Sequence, residues 1–230
     1  MKVIEIIQRI QSLYSKGVQS DDSRLSSRHI YNKLITVRAR LVSQEAKKKQ
    51  KSSRWNYQAI ECIELIEVPE HNCPCIPIPG CIILRSKYKL PKPLQGLDSN
   101  LIESVTTIDR QTKINELNLS SFKYQKGNKY TKASLSYFID NEYLYITTPT
   151  PIRIVRLVGL FDDPIKAKEF EGYCKSDCKD CDKDCIDYTE VEFPIDADMI
   201  DTLIELSIKE LVEIFSKGVQ DTNNNSSEDR

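Results

Sequence analysis

Eight cysteines and two histidines are the residues of this 230-residue chain best suited to metal binding or nucleophilic catalysis. Four cysteines lie in the run CKSDCKDCDKDC, namely Cys174, Cys178, Cys181 and Cys185. Four thiolates so close together could enclose a tetrahedral zinc ion, but their spacing differs from the paired CxxC knuckles of common zinc sites. The same intervals put all four on one face of a helix, where cysteine packs as a small apolar residue. We therefore predict packing cysteines and no metal or cofactor, with structural zinc as the alternative.

The second cysteine group surrounds a proline-rich run, PCIPIPGC, and consists of Cys62, Cys73, Cys75 and Cys81. It could be another metal clip, but a rigid loop between two strands explains the prolines without a metal. His71 lies two residues before Cys73 in EHNCPC, which is compatible with a cysteine–histidine nucleophile. Closeness in the chain is weak support, because catalytic pairs are usually assembled from distant segments. His29 lies in a basic predicted helix and is interpreted as a surface or packing residue. The sequence also lacks GxxxxGK(S/T), HExxH, GxSxG and GxGxxG motifs, so we predict that the protein is not an enzyme.

The composition is that of a globular protein, with 40% hydrophobic and 29% charged residues. No apolar run approaches the ~18 residues of a membrane span, and the N-terminus carries Glu5 and Arg9 within its apolar run, unlike a secretory signal. These features predict a protein of the cytoplasm, or of a particle assembled there. We therefore expect the cysteines to be reduced.

The net charge of −1 conceals a gradient along the chain. Residues 1–54 carry a net charge of +9, residues 55–160 a net +2, and residues 161–230 a net −12. One interpretation is two solvated faces that happen to differ. The other is head-to-tail association, in which the basic end of one subunit meets the acidic end of the next and a ring or filament forms.

Helices are predicted at both ends of the chain. Apolar residues at three- and four-residue intervals predict an amphipathic helix over 3–15 and a second helix from Ser26 or Ser27 to about Lys49. Asp163 followed by Pro164 indicates the start of a short helix. A long and strongly apolar helix is predicted over 196–216, with Asp196 as its cap, and its narrow polar strip predicts burial on several sides.

The middle of the chain predicts β-structure. Seven β-branched and aromatic runs are separated by turn residues: AIECIELIEV, CIILRS, LIESVTTI, KINELNL, SLSYFI, EYLYITT and RIVRLVGLF. Asp140-Asn141 suits a tight hairpin turn, since both residues tolerate positive φ. The predicted fold class is α+β: a helical frame, made of the N-terminal helix pair and the C-terminal helix, with an inserted antiparallel β subdomain. The predicted regions are 1–54 (helices), 55–160 (β subdomain), 161–218 (cysteine segment and C-terminal helix) and 219–230 (polar tail).

Long segments of the chain resemble the structural proteins of crAss-like phages, and more closely the ring proteins beneath the portal of their short-tailed virions. The resemblance is carried in order by KGVQSDDSRLSSRHIYNKLITVRARL, CPCIPIPGCIILRSKYKLP, YFIDNEYLYI with the following GLFDDP, and EFPIDADMIDTLIELSIKEL. It implies a structural virion protein in the neck or tail, assembled in the bacterial host cytoplasm. It also implies a dodecameric ring that bridges capsid and tail, contacts the portal and neighbouring ring or tail proteins, and lines a channel for DNA without sequence-specific binding. The resemblance supplies no catalytic residues.

Two segments are candidate interaction sites in such a ring. The turn SDDSRLS contains Asp21, Asp22 and Arg24, which could contact another subunit or the portal, or could only pair locally in a capped turn. The tail could dock on an adjacent ring or the portal, or serve as a solubilising terminus, and its candidate residues are Val219, Asp221, Asn223, Asn224, Asn225, Asp229 and Arg230. The alternative function is a cytosolic zinc-binding or nucleic-acid-binding module that uses the basic helix and the four-cysteine run.

Overall fold

A computed structural model describes residues 1–15, 25–49, 52–68, 82–96, 99–117, 135–148, 152–170 and 187–216. Its helices are α1 (Val3–Tyr14), α2 (Ser27–Lys49), α3 (Pro164–Glu169) and α4 (Ala197–Ser216), and Arg54–Asn56 forms a 3-10 turn. Its strands are β1 (Gln58–Glu67), β2 (Ile82–Ser86), β3 (Ile102–Thr107), β4 (Lys113–Glu116), β5 (Ser136–Asp140), β6 (Tyr143–Thr148) and β7 (Ile154–Gly159). The prediction of an α+β fold is confirmed, and each of the seven predicted runs contains one strand.

The strands close into a barrel in the order β1-β2-β6-β5-β4-β3-β7, with β7 pairing back onto β1. All neighbouring pairs are antiparallel except β4 and β5, which are parallel. Alternate residues point inward and form one apolar core, whose fully buried members include Ile63, Val105, Leu144, Ile146 and Val155. Burying each such side chain stabilises the fold by about 1.5–3 kcal/mol.

The barrel corrects the predicted architecture of a helical frame with an inserted antiparallel subdomain. Period-two patterns show that a segment is a strand, but they do not show which strand it pairs with. Two non-local choices close the barrel: β1 pairs with β7 across some ninety residues, and β4 crosses over to lie parallel to β5. A parallel pair requires a crossover connection, which the sequence had suggested only as a run of turn residues.

Two local features of the barrel depart from regular geometry. The β1–β7 register shifts between Ile60 and Ile63, and within this bulge Cys62 has a φ of 58°. Cys62 is disulfide-bonded, which corrects the expectation that every cysteine is reduced; its partner lies outside the described residues. The β5–β6 hairpin is confirmed, but its positive-φ residues are Asn141 (49°) and Glu142 (68°), one position later than predicted.

A second core lies between α1, α2 and α4. Its fully buried side chains include Val3, Ile6, Ile10, Leu34 and Leu203. The chain before α4 completes this layer, because Lys2 pairs with Glu192 in an antiparallel bridge and the Val3 amide donates to the Val191 carbonyl at 3.0 Å. We call α1, α2, α4 and residues 187–196 the helical layer. Asp163 caps α3 as predicted, with its carboxylate accepting from the Ile165 and Lys166 amides at 3.0 and 3.4 Å.

Candidate assembly surfaces

The helical layer and the barrel meet at one buried arginine of α2. The Arg38 guanidinium is fully buried and donates to three backbone carbonyls: Pro194 (2.8 Å) before α4, Phe161 (3.0 Å) after β7, and Asn56 (3.2 Å) before β1. Burial lowers the pKa of Arg38 to about 10, so the group keeps its charge at neutral pH. One side chain therefore ties together the start of the barrel, its end, and the helical layer.

A solvent-exposed tryptophan lies next to this junction. Asn56 is fully buried: its amide nitrogen donates to Glu45 (3.1 Å) and Ser52 (2.7 Å), and its amide oxygen accepts from the Asp196 backbone at 2.8 Å. These bonds fix the 3-10 turn, on which Trp55 is 76% exposed. Tryptophan is enriched at the centres of protein interfaces, so Trp55 is a candidate contact residue. The exposure of Trp55 is not visible in the sequence, because it depends on how the neighbouring Asn56 is buried.

The outer face of α2 carries positive charge. Six residues at four-residue spacing are exposed along the helix, and Lys47 lies beside the last of them. Glu45, the acidic residue of α2, is half-buried and accepts from Ser52 at 2.9 Å as well as from Asn56. These exposed positions wind around the helix, and those toward its C-terminal end share one side. We call this side the basic α2 face; it consists of Thr36, Arg40, Gln44, Lys47 and Lys48.

The outer face of α4 is mainly acidic. It includes one large exposed apolar side chain, Val212, which is 43% exposed. Among the described residues of this face, Lys209 is the one cation. We call this surface the acidic α4 face; it consists of Asp198, Asp201, Thr202, Glu205, Lys209, Val212 and Glu213. The α4 helix was predicted to be buried on several sides, and within the subunit it packs against α1 and α2 and leaves this face to solvent.

Ion pairs inside the subunit fix the orientation of α2 relative to α4. Glu210 pairs with Lys33 and with Arg40, the latter at 2.5 Å, and these contacts hold the pKa of Glu210 below its usual value. At the other end, the Asn56 amide that follows α2 lies 3.8 Å from the Met199 sulfur. The two helices are therefore antiparallel. Arg9 of α1 pairs with Asp201 of α4 at 3.2 Å on the opposite flank.

The predicted interaction residues lie outside the described residues. Asp21, Asp22 and Arg24 fall between α1 and α2, and the tail residues from Val219 onward follow α4. Because α1 and α4 both start beside residues 189–196 and α2 runs the opposite way, both segments are attached at the same end of the helical layer. The two segments therefore share their point of attachment to the helical layer.

Most of the candidate metal-binding and catalytic residues lie outside the described part of the chain. Cys73, His71 and the four cysteines of 174–185 lie outside the described residues, whereas His29 lies on the exposed side of α2. Among the residues that the structure does describe, no group of three or more His, Cys, Asp or Glu side chains is placed to hold a metal ion. The described helices include none that is long and apolar enough to cross a membrane.

Comparison with known proteins decides the class of this molecule. The family model described as phage tail ring protein 2 matches residues 5–230. The chain belongs to this family. It is also similar to Ring protein 2 of Bacteroides phage crAss001, with 29% identity over 204 residues that cover 84% of each chain. The predicted membership among ring structural proteins of crAss-like phages is thereby confirmed. A phage structural ring protein is a component of the virion, and membership in a structural family favours a role without catalysis.

Proposed function

We propose that the chain forms a dodecameric ring in the head–tail connector below the portal, where it bridges capsid and tail. The observation that carries this proposal is the match to the tail ring family over nearly the whole chain. The polarity of the subunit supports it, because the basic α2 face and the acidic α4 face lie on different helices of one layer. Complementary surfaces at different places on one molecule form heterologous contacts, which close into rings. Assembly takes place in the host cytoplasm.

The test of this proposal is the size and shape of the purified full-length protein, alone and mixed with the portal protein of the same phage. Native mass spectrometry and negative-stain microscopy should show closed rings with twelvefold symmetry, and portal particles with one further ring. A protein that stays monomeric under both conditions would contradict the proposal. Rings with another copy number would correct the stoichiometry and leave the class intact.

Acidic residues of the C-terminal third that lie outside the acidic α4 face supply the lining of the channel through which the genomic DNA passes. Residues 161–230 carry a net charge of −12, and acidic surface repels phosphate, so DNA slides through without sequence-specific contacts. The assembled ring should therefore not bind duplex DNA detectably at 0.15 M salt. Tight DNA binding by the free subunit, together with stoichiometric zinc, would favour the alternative of a zinc-dependent nucleic-acid-binding module.

The turn and the tail contact the portal or a neighbouring ring or tail protein from the shared end of the helical layer. A polar segment such as 219–230 orders itself only against a partner, because fixing the backbone costs roughly 1–2 kcal/mol per residue. Copies around a ring would multiply a weak contact by avidity. Deletion of 219–230 should leave the melting temperature of the subunit unchanged and weaken ring stacking. Full particle yield from the truncated protein would exclude a docking role for the tail. Unchanged assembly of the Asp22→Ala and Arg24→Ala variants would exclude a contact role for the turn.

A further inference from the structure

We propose that neighbouring copies contact each other through helices: the basic α2 face of one copy docks side by side on the acidic α4 face of the next. This inference rests on the proposed ring and names the surfaces that build it. The occupant of each face is thus a second copy of this chain. The charges, the orientation of the helices and their register each support this pairing.

The charges on the two faces are complementary and partly unpaired. Within the part of the chain that the structure describes, Lys47 and Lys48 make no ion pair, and neither do Asp198 and Glu205. The ionised groups of the basic α2 face are all cations, and those of the acidic α4 face are acids except for Lys209. Opposite potentials of this kind favour association and fix its register.

The orientation follows from the symmetry of a ring. Neighbours in a dodecamer are related by a rotation of only about 30°, so each copy keeps nearly the orientation of the last. Since α2 and α4 are antiparallel within a subunit, α2 of one copy and α4 of the next are nearly antiparallel as well. The last turn of α2 then lies beside the first turn of the neighbouring α4.

The register can be read from the contacts inside the subunit. Glu210 lies level with the stretch of α2 between Lys33 and Arg40, which both reach it. A sideways displacement to the next copy preserves this level. Counting along both helices at about 1.5 Å per residue places Lys47 and Lys48 opposite Asp198, and Arg40 opposite Glu205.

In the same register, Lys209 does not face a cation of the neighbouring copy. This cation falls opposite the uncharged Thr36, whereas a shift by one helical turn toward the end of α2 would bring it near Arg40. The antiparallel pairing therefore aligns unlike charges at two levels and places a neutral residue at the third. Trp55 follows the last turn of α2, so its exposed ring lies at the end of this contact, beside the start of the neighbouring α4.

A simpler explanation accounts for some of these residue types without a partner. Lysines in a last helical turn and an aspartate in a first turn each stabilise their own helix through its dipole. That explanation predicts that reversing the charges on both helices destabilises the subunit more than reversing the charges on one helix. Docking between copies predicts instead that the second reversal restores part of what the first one breaks, and the two accounts can be separated by one experiment.

The experiment reverses the charges of the full-length protein in three variants: Lys47→Glu with Lys48→Glu, Asp198→Lys with Glu205→Lys, and all four together. Native mass spectrometry and sedimentation would give the concentration at which half of the chains are in rings. Each double variant should raise that concentration about tenfold or more, because like charges then face each other at every interface. The fourfold variant should lower it again toward the wild-type value, because positions 47 and 48 again face an unlike charge at position 198. The recovery should be partial, since Glu205→Lys still faces Arg40. Thermal melting followed by circular dichroism would verify that each subunit is folded.

The matched control is Lys92→Glu with Lys113→Glu, which makes the same charge change at exposed positions outside the helical layer and should leave ring formation unchanged. The neutral pair Lys47→Gln with Lys48→Gln, with a smaller rise expected, covers the case in which the reversed helix end does not fold. Rings that are insensitive to these folded variants, or a fourfold variant without rescue, would overturn this inference and leave the ring itself standing. A wild-type chain that forms no ring, alone or with the portal, would overturn the proposed function and this inference with it.

Discussion

The barrel and the helical layer differ in how their surface charges are arranged. On the barrel, charges of both signs alternate and pair locally: Glu61 lies 2.6 Å from Arg156 and 3.7 Å from Arg110, and Lys87 lies 2.7 Å from Glu64. On the helical layer some charges also pair within the subunit, but the exposed cations of α2 and most exposed acids of α4 lie on separate helices. A surface whose charges are all paired offers little to a charged partner, whereas unpaired charges of opposite sign on separate helices favour association with another copy. In the proposed ring, the barrel is therefore the scaffold and the helical layer carries the contacts between copies.

The strongest test of this division is to cut the link between the two regions. Arg38→Met should lower the free energy of unfolding by about 3–5 kcal/mol, because the carbonyls of Phe161, Asn56 and Pro194 lose a buried donor. Urea denaturation followed by both circular dichroism and Trp55 fluorescence would measure the loss. If Arg38 couples the regions, the two probes should also separate into two transitions.

The matched control for this variant is Arg40→Met, two residues further along α2 and exposed. Its loss should not exceed about 1 kcal/mol, since an exposed ion pair contributes little. Equal losses in the two variants would show that Arg38 does not hold the regions together.

A second test removes the exposed indole. Trp55→Ala should leave the unfolding free energy of the subunit within about 0.5 kcal/mol of wild type, because the side chain is 76% exposed. It should weaken ring assembly by about 2 kcal/mol per contact, roughly thirtyfold, as interface tryptophans commonly do. Tyr88→Ala, which truncates an exposed aromatic of the barrel region, is the control and should leave assembly unchanged. A Trp55 variant that assembles normally would remove Trp55 from the contact.

A third test concerns the ion pairs inside the helical layer. Because Lys33 and Arg40 hold the pKa of Glu210 below its usual 4.5, the carboxylate stabilises the fold above that pH and loses its contribution as the pH falls through the lowered value. Glu210→Gln should therefore cost about 0.5–1 kcal/mol at pH 7, and this cost should shrink as the pH falls through the lowered pKa. Unfolding free energies measured across this range would show the two curves converging. Curves that stay parallel would mean that the loss is not electrostatic.

The smallest effect is expected in the barrel, at the β5–β6 turn. Glu142 has a φ of 68°, a conformation that favours glycine, so Glu142→Gly should stabilise the subunit by about 0.5–1 kcal/mol. The 3.6 Å pair with Lys89 that is lost is exposed and contributes little. Asn141→Gly should gain less, since asparagine tolerates positive φ. A loss of stability at Glu142 in thermal melting would show that the turn is not strained.

Local structure could be predicted from the sequence, and long-range structure could not. The apolar periodicity of 3–15 and 26–49, the Asp163-Pro164 helix start and the seven strand runs depend on neighbours along the chain, and all of them reappear in the structure. Closure of the barrel depends on β1 meeting β7, which no local pattern encodes. The phage ring class was recognisable from extended sequence similarity.

The candidate contact residues show the same limit. The sequence pointed to the polar turn and the tail, because dense charge and low hydrophobicity are visible without a structure. Trp55 and the two helix faces depend on which side of each element is buried. The charge gradient along the chain was compatible with head-to-tail contact or with two solvated faces, and it could not show on which helices the two signs lie.

The bridge between Lys2 and Glu192 has a consequence for the order of events on the ribosome. The apolar sides of α1 and α2 are covered by α4 and the segment before it, so they have no permanent cover until α4 has been synthesised. At about 5–20 residues per second, this leaves the first helices waiting for roughly ten seconds or more. We expect the nascent chain to need chaperone protection in this interval. An unfinished chain that lacks α4 therefore has an incomplete helical core.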